Sequence, residues 1–245
     1  MIKVKLNKPE FEYDIHSLIK AFYPEEYVGV SAEEKTYEEP IHIQMEVIYT
    51  EASIKICWQL REQNEAVLPA CGDGKIEREI PVDFSDRTDA KNRLKKCLYL
   101  MLCEVTGRKL PWGNLTGIRP TKIPMSMLEE GRSEDEIREH MRKTYFISRE
   151  KEQLAIEIAG REKTLLDALH YKDGYSLYIG IPFCPTTCLY CSFTSYPIFS
   201  WKKRVGEYLD ALEKEIDFTS EMYGNKILDT IYIGGGTPTT LEPAE

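Results

Sequence analysis

The sequence predicts an α/β fold in two parts, on three observations. Residues 1–170 carry alternating apolar strands followed by helical apolar stripes, residues 171–245 run strand, loop, helix, strand, and each strand of that second part ends in a ligand-type motif. The first part reads as an N-terminal α/β or α+β domain. The second reads as the start of a parallel α/β domain, its first βαβ unit.

In the first part, Ile41, Ile43, Met45 and Val47 alternate with polar or smaller neighbours. Ile54, Ile56, Trp58 and Leu60 do the same after a turn at Thr50 to Ser53, so a β-hairpin is expected. Leu94, Leu98, Met101, Leu102 and Val105 define one face of a helix that Gly107 ends. Gly131 can stop another helix, Ser133 and Glu136 form a capping-box pattern for the next, and Ser148 opens a long helix carrying Leu154, Ile158, Leu165 and Leu169. Between these lies Trp112 to Lys122, where Gly113 and Gly117 allow a close turn and Arg119 and Lys122 offer cations for a carboxylate or phosphate. A purely structural loop is the competing reading. The run Lys91, Arg93, Lys95, Lys96 reads as a solvated helix face.

In the second part, Leu177 to Phe183 is strand-like and Asp229 to Ile233 is read as a short buried strand. Val205, Leu209, Leu212, Ile216 and Thr219 recur at helical spacing between them, with Lys202, Lys203, Glu207, Lys214 and Glu221 on the polar faces, and Gly224 and Asn225 close the helix. A right-handed crossover would bring the C-terminal ends of the two strands side by side, where parallel α/β sheets and barrels place their ligands.

Composition bounds the function. Hydrophobic residues make up 42% and aromatics 11% of 245 residues, which excludes a disordered chain. A formal net charge of −9 argues against a general nucleic-acid binder. No apolar run approaches the roughly 18 residues of a membrane span, and the opening MIKVKLNKPEFEYD lacks a signal peptide's apolar core, so a cytoplasmic protein is expected. Seven cysteines, three of them tightly spaced, suit a reducing compartment.

Those three, Cys184, Cys188 and Cys191, stand as C-x-x-x-C-x-x-C directly after the first strand. A [4Fe-4S] cubane needs a ligand on each of four irons, and electron carriers supply four cysteines. Three local thiolates leave one iron open to a bidentate amine and carboxylate, a description that S-adenosylmethionine fits. Zinc is the competing metal, but none of His16, His42, His140 and His170 lies in the loop, and Cys57, Cys71, Cys97 and Cys103 lie far upstream. The second strand runs into Gly234, Gly235, Gly236, Thr237, Pro238 and Thr239, where missing side chains let a ligand reach the backbone. A tight strand-to-helix connection is the plainer reading of that turn.

Together, YIGIPFCPTTCLYC (Tyr178 to Cys191) and GGGTPT (Gly234 to Thr239) resemble the radical S-adenosylmethionine enzymes, and among them the oxygen-independent coproporphyrinogen III oxidase group. That group carries Tyr-x-His-x-Pro-Phe-Cys. Here Tyr178, Pro182, Phe183 and Cys184 match, and Gly180 replaces the histidine. LPWGNLTGIRPTKIP (Leu110 to Pro124) resembles the N-terminal extension of the HemZ-type branch. The resemblance implies a (βα)6 partial barrel, a [4Fe-4S] cluster on Cys184, Cys188 and Cys191, and S-adenosylmethionine contacts from Tyr178, Tyr190, Gly235, Gly236 and Thr237. Tyr178 and Tyr190 could instead be core aromatics.

The implied reaction is oxidative decarboxylation of coproporphyrinogen III propionates to vinyl groups, started by a 5'-deoxyadenosyl radical. Its implied partners are the porphyrinogen substrate and an electron donor such as flavodoxin or ferredoxin. Two other classes stand beside it: a haem-binding or haem-trafficking chaperone-like member without oxidase activity, to which Gly180 points, and a non-enzymatic iron–sulfur redox module. With only Thr240 to Glu245 after the glycine motif, a six-unit barrel at roughly 30 residues per unit would need on the order of 120 further residues. The chain is therefore expected to be either a fragment of a longer enzyme or a truncated product that cannot enclose a radical intermediate, with little catalysis expected of it alone.

Overall fold

The computed structural model describes residues 1–33, 35–61, 74–117 and 119–245. Cys71 and Ile118, named above, lie outside the described residues. The chain divides into two compact units, Met1–Arg161 and Glu162–Glu245.

Unit 1 is built on a mixed five-stranded sheet. Its strands are β1 (Ile2–Leu6), β2 (Val28–Ser31), β3 (Ile43–Tyr49), β4 (Ser53–Leu60) and β5 (Lys75–Pro81), in the order β2-β1-β3-β4-β5. β1 runs parallel to β2 and β3, and β3, β4 and β5 form an antiparallel meander. The expected hairpin is β3–β4, with Val47 opposite Ile56 and Met45 opposite Trp58. Its turn is tied by Thr50 Oγ1, which accepts the backbone N–H of Ser53 at 2.9 Å. Alternation along β3 puts Ile43, Met45, Val47 and Tyr49 inside, as a one-faced strand requires.

Helices α1 (Glu12–Phe22) and α2 (Arg87–Thr106) bury their apolar faces in the same core. Leu94, Leu98, Met101, Leu102 and Val105 are all buried, and Gly107 closes α2 in the left-handed region at φ 65°. Asp86 starts α2 by accepting the N–H groups of Thr88 and Asp89. β1, α1, β2 and β5 were not singled out in the sequence: β1 is short, and β5 buries only Ile76 fully.

A second core in unit 1 joins α3 (Lys122–Glu129), α4 (Glu134–Tyr145) and α5 (Arg149–Asp167). The Ser133–Glu136 capping box is present, and Gly131 follows α3 at φ 78°. α5 departs from the apolar stripe named for it. Its buried residues are Glu152, Ala155, Ile156 and Ala159, while Leu154, Leu165 and Leu169 are exposed. Glu152 is tolerated inside because Arg142 Nε lies 2.9 Å from one carboxylate oxygen and Arg138 3.6 Å from the other.

Unit 2 is a βαβ unit. β6 (Tyr175–Ile181) and β9 (Leu228–Gly235) pair in parallel, with Tyr178 opposite Tyr232, Gly180 opposite Gly234 and Ile181 opposite Gly235. α7 (Val205–Met222) connects them, preceded by the short α6 (Ile198–Trp201). The helix turns Val205, Leu209, Leu212, Ile216 and Thr219 away from solvent, as its periodicity requires.

Three expectations are corrected here. β9 is a strand but not a buried one: Ile231, Tyr232 and Ile233 are exposed, because β6 is its sole strand neighbour among the described residues and the small core collects at Ile181, Phe183 and Val205. The glycine motif also begins inside the strand, since Gly234 and Gly235 keep pairing with β6. The strand expected over Leu177 to Phe183 is cut at Pro182, which has no N–H for a ladder. It resumes as β7 (Phe183–Cys184), paired in parallel with β8 (Tyr196–Pro197).

Candidate functional site

The candidate site forms where β6 and β9 end in unit 2. The ladder continues past the strands: Gly236 N–H donates to Ile181 O at 2.7 Å and Thr237 N–H to Phe183 O at 2.8 Å. These bonds draw the glycine motif along the backbone that leads into Cys184. Gly235 lies at φ 107°, and a Cβ there would sit 2.7 Å from Ile181 O. A Cβ on Gly236 would sit 2.6 Å from Phe183 O and 2.8 Å from Cys184 Sγ. Both positions thus require glycine, one for conformation as well as contact and one for contact.

Thr237 Oγ1 donates to Cys184 Sγ at 3.5 Å. The structure therefore brings Gly235, Gly236, Thr237 and Cys184 together, although 51 residues or more separate the glycines from the cysteine in sequence. Cys184 is half-buried at the end of β7. Cys188 is exposed, and its carbonyl accepts the Cys191 N–H at 3.0 Å, closing the tight turn that holds Leu189 and Tyr190. Cys191 is half-buried, and its sulfur lies 3.7 Å from Ser195 Oγ. Leu189, Tyr190 and Phe193 all project into solvent from this loop.

Tyr178 stands apart from the thiol turn, whereas Tyr190 lies within it. Tyr178, in mid-strand, stacks on Tyr232 of β9 with ring centroids 5.5 Å apart, and both rings are exposed. Tyr190 is almost fully exposed. Neither is a core aromatic. Gly180 has its carbonyl capped by the Tyr208 hydroxyl of α7. Burial, then the nearby Glu215 charge, holds that phenol above its ordinary pKa. Ser195 and Tyr208 were not singled out from sequence. Tyr208 was legible as a flank of the α7 stripe, whereas nothing in the sequence marks Ser195 apart from its place four residues after Cys191.

Among the described residues, no group of three or more His, Cys, Asp or Glu side chains is gathered closely enough to hold a metal ion. The three loop thiols are therefore not drawn together here. Their chemistry nevertheless fits a cluster. None is in a disulfide, a hydroxyl lies against the sulfurs of Cys184 and Cys191, and the Gly236 backbone presses on Cys184 where any side chain would collide. A short exposed loop that closes around its ligand is the ordinary coupling of metal binding to folding.

The Trp112 to Lys122 segment favours the structural reading at its first glycine. Gly113 sits at φ 57°, and a Cβ there would fall 1.8 Å from Tyr145 O. Asn114 N–H donates to the same Tyr145 carbonyl at 2.9 Å, and Ser148 N–H returns to Pro111 O at 2.9 Å. The segment is thus fastened to the α4–α5 turn.

Set beside known proteins, the chain is 41% identical over 152 residues to the oxygen-independent coproporphyrinogen-III oxidase-like protein HemZ of Bacillus subtilis, a match covering 60% of this chain and 30% of that protein. It is 52% identical over 66 residues to the heme chaperone HemW of Bacillus subtilis, covering 27% and 17%. It is 36% identical over 70 residues to the oxygen-independent coproporphyrinogen III oxidase of Escherichia coli, covering 29% and 15%. The chain thus spans less than a third of the length of each of these relatives. No family model and no solved structure matches it. The chain is a relative of the HemZ, HemW and oxygen-independent coproporphyrinogen III oxidase proteins, as the cysteine and glycine motifs led one to expect.

Proposed function

We propose that this chain is part of a radical S-adenosylmethionine oxidoreductase of haem biosynthesis, one that decarboxylates coproporphyrinogen III propionates oxidatively to the vinyl groups of protoporphyrinogen IX. The observation that carries this reading is the meeting of Cys184 with the glycine motif, through the Thr237 hydroxyl and the bare Cα of Gly236, at the end of a parallel strand pair. Names of two relatives give the substrate class. The β6–α7–β9 unit would be the first of a (βα)6 partial barrel.

In this reading Cys184, Cys188 and Cys191 hold a [4Fe-4S] cluster, and the cluster with S-adenosylmethionine supplies the one-electron chemistry that removes hydrogen from a propionate side chain. The chain's own residues bind and orient. Gly235 and Gly236 offer backbone uncovered by side chains, and Thr237 lines the methionyl end. The exposed rings of Tyr178 and Tyr190 present faces to the nucleoside. Reducing equivalents come from a flavodoxin or ferredoxin, and the setting is cytoplasmic. Among the described residues, no helix is long and apolar enough to cross a membrane.

A second reading, a haem-binding or haem-trafficking protein without oxidase activity, is favoured by the 52% identity to HemW over 66 residues, against 36% over 70 residues to the Escherichia coli oxidase, and by Gly180 standing where the oxidase pattern has histidine. Anaerobic reconstitution of the longer protein, followed by reductant and S-adenosylmethionine, separates the two. Release of 5'-deoxyadenosine with conversion of coproporphyrinogen supports the oxidase. Stoichiometric haem binding with no porphyrin product supports the chaperone. Cys188→Ala is expected to abolish iron uptake while unit 1 keeps its circular dichroism. A variant that retained a full cluster would refute the ligand assignment.

A further inference from the structure

We propose that the hydroxyls of Thr237 and Ser195 are positioning groups for the cluster thiolates, so that the glycine motif supports the metal as well as the nucleotide. The inference rests on the cluster reading above and adds two donors to it. Thr237 is unusually constrained for a residue in a loop. Its N–H is spent on Phe183 O at 2.8 Å, the preceding Gly236 N–H on Ile181 O at 2.7 Å, and the following Pro238 confines it to the extended conformation it adopts, φ −128° and ψ 92°. From that fixed backbone its Oγ1 reaches Cys184 Sγ at 3.5 Å.

At the other end of the loop Ser195 Oγ lies 3.7 Å from Cys191 Sγ. In the free thiol either atom can be the donor. A thiolate bound to iron has no proton to give, so both hydroxyls must then donate to sulfur. Hydrogen bonds to cluster sulfurs draw charge off the thiolates, favour the reduced cluster and raise its reduction potential. They also fix the ligand side chain before metal arrives, the usual part of groups one step removed from a metal. Cys188 is the exposed member of the three. The loop is thereby anchored at its two ends and open at its middle.

The test uses this chain, reconstituted anaerobically with iron and sulfide, as wild type, Thr237→Val, Thr237→Ser and Ser195→Ala. Cluster retention against a chelator and the reduction potential are read by absorbance and electron paramagnetic resonance, without any turnover. Thr237→Val keeps the side-chain volume and the backbone bond. It is expected to lose its cluster about tenfold faster and to show a more negative potential, with Thr237→Ser restoring both. Ser195→Ala is expected to shift both in the same direction by less, as its contact is longer. Wild-type behaviour in Thr237→Val, or a Thr237→Ser as impaired as the valine variant, would overturn the inference while leaving the cluster reading intact. A wild-type chain that takes up zinc or no cluster overturns that reading, and this one with it.

Discussion

The two units solve the same problem, covering a parallel strand pair, to different extents. In unit 1 the parallel strands β1, β2 and β3 are extended by an antiparallel meander and covered by α1 and α2, so that side chains from every strand reach one core. In unit 2 a single helix covers part of one strand pair, and the core is Ile181, Phe183 and Val205 with partly buried neighbours. Apolar strand residues alone do not make a core. Ile56 and Ile231 both sit in β-strands, yet Ile56 is fully buried and Ile231 is 56% exposed. The candidate site lies in unit 2, whose loops are exposed, and the larger core lies in unit 1.

The sharpest test of that contrast is a matched pair. Ile56→Ala is expected to cost about 2–5 kcal/mol in chemical denaturation, whereas Ile231→Ala should fall within about 0.5 kcal/mol of wild type. Equal losses would mean that β9 is buried in solution. Gly113→Ala probes the fastening within unit 1. A left-handed backbone costs a residue with Cβ about 1–2 kcal/mol, and the overlap with Tyr145 O adds to it, so a lower melting temperature is expected. A neutral result would free the Trp112 to Lys122 segment for a ligand role.

Ser133→Ala removes half of the α4 capping box and should lower stability by about 1 kcal/mol, measured by urea titration. The smallest effect is electrostatic. Lys75 and Lys55 hydrogen-bond to Glu77 and pull its pKa down from 4.5 to about 2. A depressed carboxylate contributes stability above its unfolded pKa and loses it as the pH falls through the folded one, so this contribution fades between about pH 4.5 and pH 2. Lys55→Met should move the Glu77 titration upward in an NMR pH series with little change in overall stability, because the pair is solvent-exposed. An unmoved titration would remove Lys55 from the account.

Much of the architecture was legible because local rules and tertiary packing agree. The β3–β4 hairpin follows from strict alternation around Thr50 to Ser53, α2 from a continuous apolar stripe ended by Gly107, and α7 from a stripe whose every member turns inward. α5 was misjudged because leucine spacing says nothing about which stripe a neighbour covers. Ala155 and Ile156 meet the second core, and Leu154 and Leu165 are exposed. β9 was read as buried because its apolar residues were counted without its neighbours.

The sequence by itself determined the chemistry on offer: three thiols within eight residues, a glycine run, and relatives whose names concern haem and its precursor. Thiol spacing and the freedom of glycine are properties of the chain, independent of how it folds. Tertiary structure decided which groups meet. The parallel register of β6 and β9 aligns Ile181 with Gly235, so that Gly236 and Thr237 arrive at Cys184. Such a contact between distant segments depends on hydrogen-bond register and close backbone approach, quantities that no local pattern of residues encodes.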